Sequence, residues 1–216
     1  MKKIISAVLS LAICLTVFYA PISVKAAKAA EADEYAGILD DFGYNSVKIS
    51  NGSQVSRIEF IKILSVFLGY TSDYAIDSDP FDDLHYYEDG AREAAYLKEM
   101  GIIRGSDDNR FNGNEPITVT EAYIFAERAL GYLYVSTDKI GMANPIALAS
   151  NIALDKGVKT GGTAFVSSAN AKRLIYNMMT AESMKVVSVQ GNDVEYGESG
   201  RTLFEIYFNI IPIEGT

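Results

Sequence analysis

The chain has 216 residues, of which 49% are hydrophobic and 22% are charged, so it holds enough apolar side chains for a globular core. Its 28 acidic and 19 basic residues give a formal charge of −9. This acidity, without any cluster of Lys and Arg, argues against nucleic-acid binding, which needs a basic face toward the phosphates.

The N-terminus has the residue order of a secretory signal peptide. Lys2 and Lys3 precede an apolar run over 4–20, and small residues follow up to Ala26. We predict a signal peptide over 1–26, with Ala29 as the second choice of cleavage site. An uncleaved membrane anchor is the alternative, because the run is nearly long enough to span a bilayer. Cleavage would remove three lysines and no acid, leaving 16 basic and 28 acidic residues, a formal charge of −12.

The only cysteine, Cys14, lies within the apolar run, so the mature chain would contain no thiol. Disulfides and cysteine chemistry are thereby excluded after cleavage. The only histidine, His85, has no partner pattern for a triad or a zinc site. We therefore predict no catalytic residue, no cofactor and no metal.

One local unit recurs three times along the chain: a helix that stops at a glycine, a polar loop, and a second helix with an N-cap. The predicted stops are Gly43, Gly101 and Gly157, each followed by an apolar residue that can fold back on the last turn. The loops differ in length while their ends keep the same chemistry, which is typical of repeated modules.

The second helices begin at hydroxyl residues. Ser56 with Glu59, and Thr118 with Glu121, have the spacing of capping boxes, whereas the third start lacks the glutamate. Apolar residues near a period of 3.6 predict helices over 57–69, 119–132 and 168–180, each with one apolar stripe. We expect these stripes to bury one another in a central three-helix bundle with approximate threefold arrangement.

The predicted organisation is therefore mainly α, with three repeats over 31–72, 78–134 and 140–182. Residues 183–216 are β-prone, with strands predicted at 186–189 and 202–208. This tail is interpreted as an appendage or as the start of a further domain, because lone strands are not stable in water.

The middle repeat carries a composite motif of about 50 residues. It comprises Phe81-Asp82-Asp83-Leu84-His85-Tyr86, the helix end Gly101-Ile102-Ile103-Arg104-Gly105, then Phe111, and finally Pro116-Ile117-Thr118 with Glu121. Together these residues resemble an S-layer homology repeat. The first repeat keeps Ser56-Arg57-Ile58-Glu59, and the third keeps Gly157 and Phe165-Val166-Ser167.

The resemblance implies a non-catalytic module that holds an exported protein on the bacterial cell surface. Such modules bind secondary cell-wall polysaccharide, often carrying pyruvate ketals, in clefts between repeats. The family's anion-binding arginine is matched by Arg57, whereas Val119 and Ser168 occupy the corresponding positions of the other two repeats. A guanidinium offers a planar fork to a carboxylate, and helix N-terminal amides would add donors beside it.

The predicted glycan-binding residues are Arg57, with Asp83, Tyr86 and Gly105 carried over by motif match and Arg104 added as a nearby cation. Two alternatives stay open. In the first, the chain is the N-terminal part of an exported hydrolase or adhesin. In the second, it is an envelope scaffold that has lost glycan affinity. Calcium bound by the acidic stretch over 73–83 is a further alternative, against solvated turn residues.

Overall fold

The computed structural model describes residues 32–49, 54–132, 144–159, 165–190 and 193–210. The predicted signal peptide and Cys14 lie outside these ranges. In the described parts the fold is mainly helical with one two-stranded antiparallel sheet. The helices are α1 (Ala32–Asp41), α2 (Arg57–Phe67), α3 (Ala91–Glu99), α4 (Val119–Ala129), α5 (Pro145–Asn151), α6 (Ser168–Thr180) and α7 (Leu203–Phe208). The strands are β1 (Glu182–Gln190) and β2 (Asp193–Thr202). None of the described helices is long and apolar enough to cross a membrane.

The predicted starts of α2, α4 and α6 are confirmed. Ser56 and Glu59 form a reciprocal box, in which the Glu59 amide donates to the Ser56 hydroxyl at 3.3 Å and the Ser56 amide donates to the Glu59 carboxylate at 2.8 Å. Thr118 and Glu121 repeat it at 3.2 and 2.9 Å. These bonds satisfy amides that the helix itself leaves without acceptors.

The three residues that precede these caps are joined in a closed ring of backbone hydrogen bonds. The Val55 amide donates to the Val166 carbonyl at 2.8 Å, the Ile117 amide to Val55 at 2.9 Å, and the Val166 amide to Ile117 at 3.0 Å. All three side chains are buried. The ring ties the entries of α2, α4 and α6 together at one end of the core.

These three helices also contact one another. Helix α6 contacts both α2 and α4, and the Phe60 and Phe125 rings bring α2 to α4 with centroids 6.5 Å apart. Among the remaining helices, α3 contacts α2, α5 contacts α4, and α1 contacts α6. The apolar stripes predicted from the sequence thus lie inside the main core.

Two of the three predicted glycine stops are confirmed. Gly43 follows α1 and Gly101 follows α3, with φ values of +99° and +73° in the left-handed region. After α3, the Ile102 amide reaches back to the Leu97 carbonyl at 2.9 Å, which closes the helix end.

The third stop is wrong. Helix α5 ends at Asn151, and the residue that turns left-handed there is Ala153, with φ +60°. The Leu154 amide then bonds the Ala149 carbonyl at 2.8 Å, the same closing bond that a glycine stop makes. Gly157 is also left-handed, at φ +73°, but it lies in the turn beyond the helix.

Helices α2 and α4 end earlier than predicted. Helix α2 stops at Phe67 and α4 at Ala129, because Gly69 and Gly131 adopt left-handed φ values of +80° and +83°. Glycine stops were predicted for the first helices alone, whereas the same chemistry closes these two as well.

In the C-terminal segment the strand predicted over 186–189 is confirmed as part of β1, whereas the second strand lies elsewhere than predicted. Strand β1 pairs with β2, with Val189 opposite Val194. The segment predicted as a strand over 202–208 instead forms α7, which Thr202 and Glu205 start with a third capping box. Phe204 and Phe208 pack on Phe42, with ring centroids 5.3 and 4.9 Å from it.

A carboxyl group is buried between α4 and α5. Glu127 is 1% exposed, and its Oε1 atom has no hydrogen-bond partner among the described residues. Burial raises the pKa of Glu127 to about 8, although Arg128 and the Ala149 amide act in the opposite direction. The group therefore holds a proton at neutral pH in the folded protein.

Candidate functional site

A groove of about 390 Å³ opens between the start of α2, the loop that connects α3 to α4, and Phe165. Its charged lining consists of Arg57, Arg104, Arg110, Glu115, Glu121 and Arg128. Pro116, Ile124, Phe125 and Phe165 form apolar parts of the wall. Three of the five sequence-predicted site residues, Arg57, Arg104 and Gly105, are brought together here.

The Arg57 side chain is largely committed to the protein itself. Its Nη1 atom lies 2.5 Å from Glu121 Oε1, and its Nε atom donates to the Phe111 carbonyl at 2.9 Å. The guanidinium lies over the rings of Phe111 and Phe125, at 4.9 and 5.6 Å from their centroids. The Arg57 side chain is only 11% exposed, so the groove meets an arginine whose charge is already paired.

The expectation that the N-terminal amides of α2 offer free donors is wrong. The Arg57 amide donates to the Glu115 carbonyl and the Ile58 amide to the Gly113 carbonyl, both at 2.9 Å. The Glu59 amide is used by the capping box. The loop between α3 and α4 thus occupies this helix N-terminus, and only side chains remain to bind an anion there.

Gly105 allows the groove loop to lie close to the core. A Cβ atom at this position would stand 3.0 Å from the Phe81 ring and 3.2 Å from the Arg110 carbonyl. The neighbouring turn is closed by the Ser106 amide, which donates to the Arg110 carbonyl at 2.9 Å. Gly105 therefore serves loop geometry, and Arg104 precedes it with an exposed side chain.

Two further arginines line the groove and were missed by sequence reasoning. Arg110 is 54% exposed, with its Nε atom 3.8 Å from Asp83. Arg128 donates from Nη1 to the Ile102 carbonyl at 3.1 Å. Neither belongs to the motif that contains Arg57. Arg110 comes from the loop and Arg128 from the end of α4, and only the fold brings them to the same groove.

The groove is positive although the chain is acidic. Four arginines and two glutamates among its lining residues give a formal sum of +2. The whole chain has a formal charge of −9. A locally positive groove within a negative protein attracts anions while the rest of the surface repels them.

Asp83 does not line the groove but binds the backbone of the loop that does. Its carboxylate accepts from the Phe111 amide at 2.6 Å and from the Asn112 amide at 2.8 Å. Burial opposes ionisation of Asp83, but these two amides and Arg110 outweigh it, so the pKa of Asp83 is lowered. The motif match at Asp83 is thus explained by loop anchoring.

Tyr86 also lies away from the groove lining, on an exposed loop. Tyr86 is 49% exposed and Tyr87 is 72% exposed, and their rings stand edge to face with centroids 5.4 Å apart. On the same loop, the His85 ring nitrogen Nδ1 lies 2.9 Å from Asp79, and this hydrogen bond raises the pKa of His85. The role of Tyr86 in glycan binding stays a prediction.

Among the described residues, no group of three or more His, Cys, Asp or Glu side chains is arranged to hold a metal ion. The sequence matches no protein-family model. No curated protein is similar to it at a significant level.

Proposed function

We propose that this chain is a non-catalytic module that holds an exported protein on the bacterial cell wall by binding secondary cell-wall polysaccharide in the groove. The observation that carries the proposal is the positive charge of the groove lining within an acidic protein. An anionic polysaccharide would be drawn to this groove and repelled elsewhere.

The proposed architecture is three S-layer-homology-type repeats around a pseudo-threefold axis. Two features support it. The closed ring through Val55, Ile117 and Val166 joins equivalent positions of the three proposed repeats. In addition, each outer helix contacts the central helix of the preceding repeat in cyclic order, α3 on α2, α5 on α4 and α1 on α6.

The groove also has the chemistry that an acidic sugar requires. Guanidinium groups form charge-assisted hydrogen bonds with carboxylates such as a pyruvate ketal. The half-buried Phe165 adds apolar surface against which the C–H face of a sugar ring can pack. A few convergent polar groups on an apolar wall are typical of ligand sites.

Co-sedimentation with purified bacterial cell walls tests this function. The mature chain, residues 27–216, is expected to sediment with intact walls and to stay in solution after the polysaccharide has been chemically removed. Arg92→Ala, an exposed arginine of α3 that does not line the groove, is the matched control and should sediment like wild type. Failure of wild type to sediment with intact walls would refute the proposal.

A second candidate is an envelope scaffold without glycan affinity. The pairing of Arg57 with Glu121 favours it, because the motif arginine is then unavailable to a ligand. The scaffold predicts that wild type and Arg57→Ala both give flat calorimetric titrations with a pyruvylated disaccharide. The anchoring module predicts measurable heat for wild type.

A further inference from the structure

The motif arginine and the accessible arginines of the groove are different residues. Arg57 is 11% exposed and is held by Glu121, by the Phe111 carbonyl and by two aromatic rings. A ligand carboxylate that bound Arg57 would have to displace Glu121 or share its charge. The free energy gained when the ligand carboxylate pairs with Arg57 is then offset by the loss of the pairing between Arg57 and Glu121.

Arg104 and Arg110 are in the opposite situation. Both side chains are exposed, and Arg104 belongs to none of the ion pairs formed between described residues. Arg110 is separated from Asp83 by 3.8 Å, and that carboxylate already accepts from two backbone amides. Much of the charge of these two arginines remains available to a ligand.

A tight turn over 106–110 lies between the two residues along the chain. The Ser106 amide and hydroxyl both donate to the Arg110 carbonyl at 2.9 Å, so the chain arms that bear Arg104 and Arg110 run side by side. Arg57 fixes this loop from the other side, through its bond to Phe111 and through its amide on Glu115.

We propose that Arg104 and Arg110 bind the carboxylate of the polysaccharide, and that Arg57 is a positioning residue that neutralises Glu121 and holds the loop in place. This inference rests on the proposed function, and it moves the anion contact away from the residue that the motif selects. It assigns to Glu121 the role of a charge that must stay neutralised for the groove to accept an anion.

Calorimetric titration of the mature chain with a disaccharide carrying a pyruvate ketal tests the assignment. Loss of one charge-assisted contact weakens binding roughly tenfold to a hundredfold, which is the expected effect of Arg104→Ala and of Arg110→Ala. Because both side chains are exposed, the melting temperatures of the two variants should stay close to that of wild type. Arg92→Ala should bind like wild type, and the disaccharide without the ketal should bind much more weakly.

A rescue experiment isolates the role of Arg57. Arg57→Ala should weaken binding because the Glu121 carboxylate is left unpaired beside the groove. Addition of Glu121→Gln removes that charge and keeps an oxygen for the Thr118 cap, since glutamine also serves in capping boxes. The double variant should regain part of the affinity lost in Arg57→Ala. The contact of Arg57 with the Phe111 carbonyl is missing from both variants, so the difference between them reports the charge of Glu121 alone.

The outcomes separate the two proposals. If the double variant stays as weak as Arg57→Ala while its circular dichroism matches wild type, the unpaired charge of Glu121 does not explain the loss and the role assigned to Arg57 is overturned. Wild-type affinity in both Arg104→Ala and Arg110→Ala would overturn it as well. If wild type binds neither the disaccharide nor intact walls, the proposed function itself fails.

Discussion

The buried carboxyl of Glu127 should make the protein less stable as the pH rises. Its pKa is about 8 in the folded state against an ordinary value of 4.5, so the folded protein keeps this proton where the unfolded chain has lost it. Stability contributed by the protonated group is therefore complete below about pH 4.5 and declines as pH rises toward 8.

The size of the effect follows from the shift. Each unit of pH between the two pKa values costs about 1.4 kcal/mol, so on the order of 3 kcal/mol is lost by pH 7. Glu127→Gln keeps the shape of the side chain and cannot ionise. The free energy of unfolding of the variant should exceed that of wild type by an amount that grows with pH, and the difference should level off above pH 8.

Urea unfolding followed by circular dichroism at pH 5, 6, 7 and 8 measures this difference. Glu195→Gln, which alters an exposed carboxylate on β2, controls for the general effect of removing one negative charge. If wild type and Glu127→Gln show parallel pH dependence between pH 5 and 8, the reasoning about this buried group is refuted.

Three further predictions concern the frame around the groove. Ser56→Ala and Thr118→Ala should each cost about 1 kcal/mol through loss of a cap, seen as a lower midpoint in thermal unfolding; unchanged midpoints would contradict the capping account. Gly101→Ala should cost roughly 1–2 kcal/mol because φ is +73° there, and urea unfolding with no loss would contradict this. Asp83→Asn should lower the melting temperature at pH 7. Because the pKa of Asp83 is lowered on folding, the stabilisation it provides is lost as pH falls through the folded value, so wild type and variant should converge in acid; a constant gap down to pH 2 would count against it.

Local chemistry explains how much of the helical frame could be predicted. The boxes at Ser56 and Thr118 depend on side chains three residues apart, and their sequence pattern nearly determines their structure. The glycine stops after α1 and α3 are equally local. The end of α5 was missed because Ala153 takes a left-handed conformation that alanine rarely adopts, so no residue type marked it.

The error over 202–208 has a different cause. Phe204, Ile206, Tyr207 and Phe208 favour strands by intrinsic preference, and the strand prediction rests on that preference alone. Packing against Phe42 supplies the tertiary contact that stabilises so short a helix. The Thr202 to Glu205 spacing of a capping box is the local signal that indicates the helix.

The groove was only partly predictable for a physical reason. Motif matching found Arg57, but it could not show that Glu121, which is 64 positions away, neutralises it. Arg110 and Arg128 carry no local signal, because their contribution depends on which wall the fold brings them to. Asp83 was predicted to bind glycan, but it does not line the groove, and its carboxylate anchors the loop through the Phe111 and Asn112 amides.

The central claim is that wall polysaccharide binds to this protein and that it does so in the groove. Amide hydrogen exchange tests both the binding and its location in one measurement. Exchange is recorded by mass spectrometry for the mature chain with and without saturating solubilised polysaccharide. The account predicts slower exchange in the loop 104–116 and little change in β1 and β2. Unchanged exchange in 104–116 at saturation, or slowing confined to another surface, would contradict it.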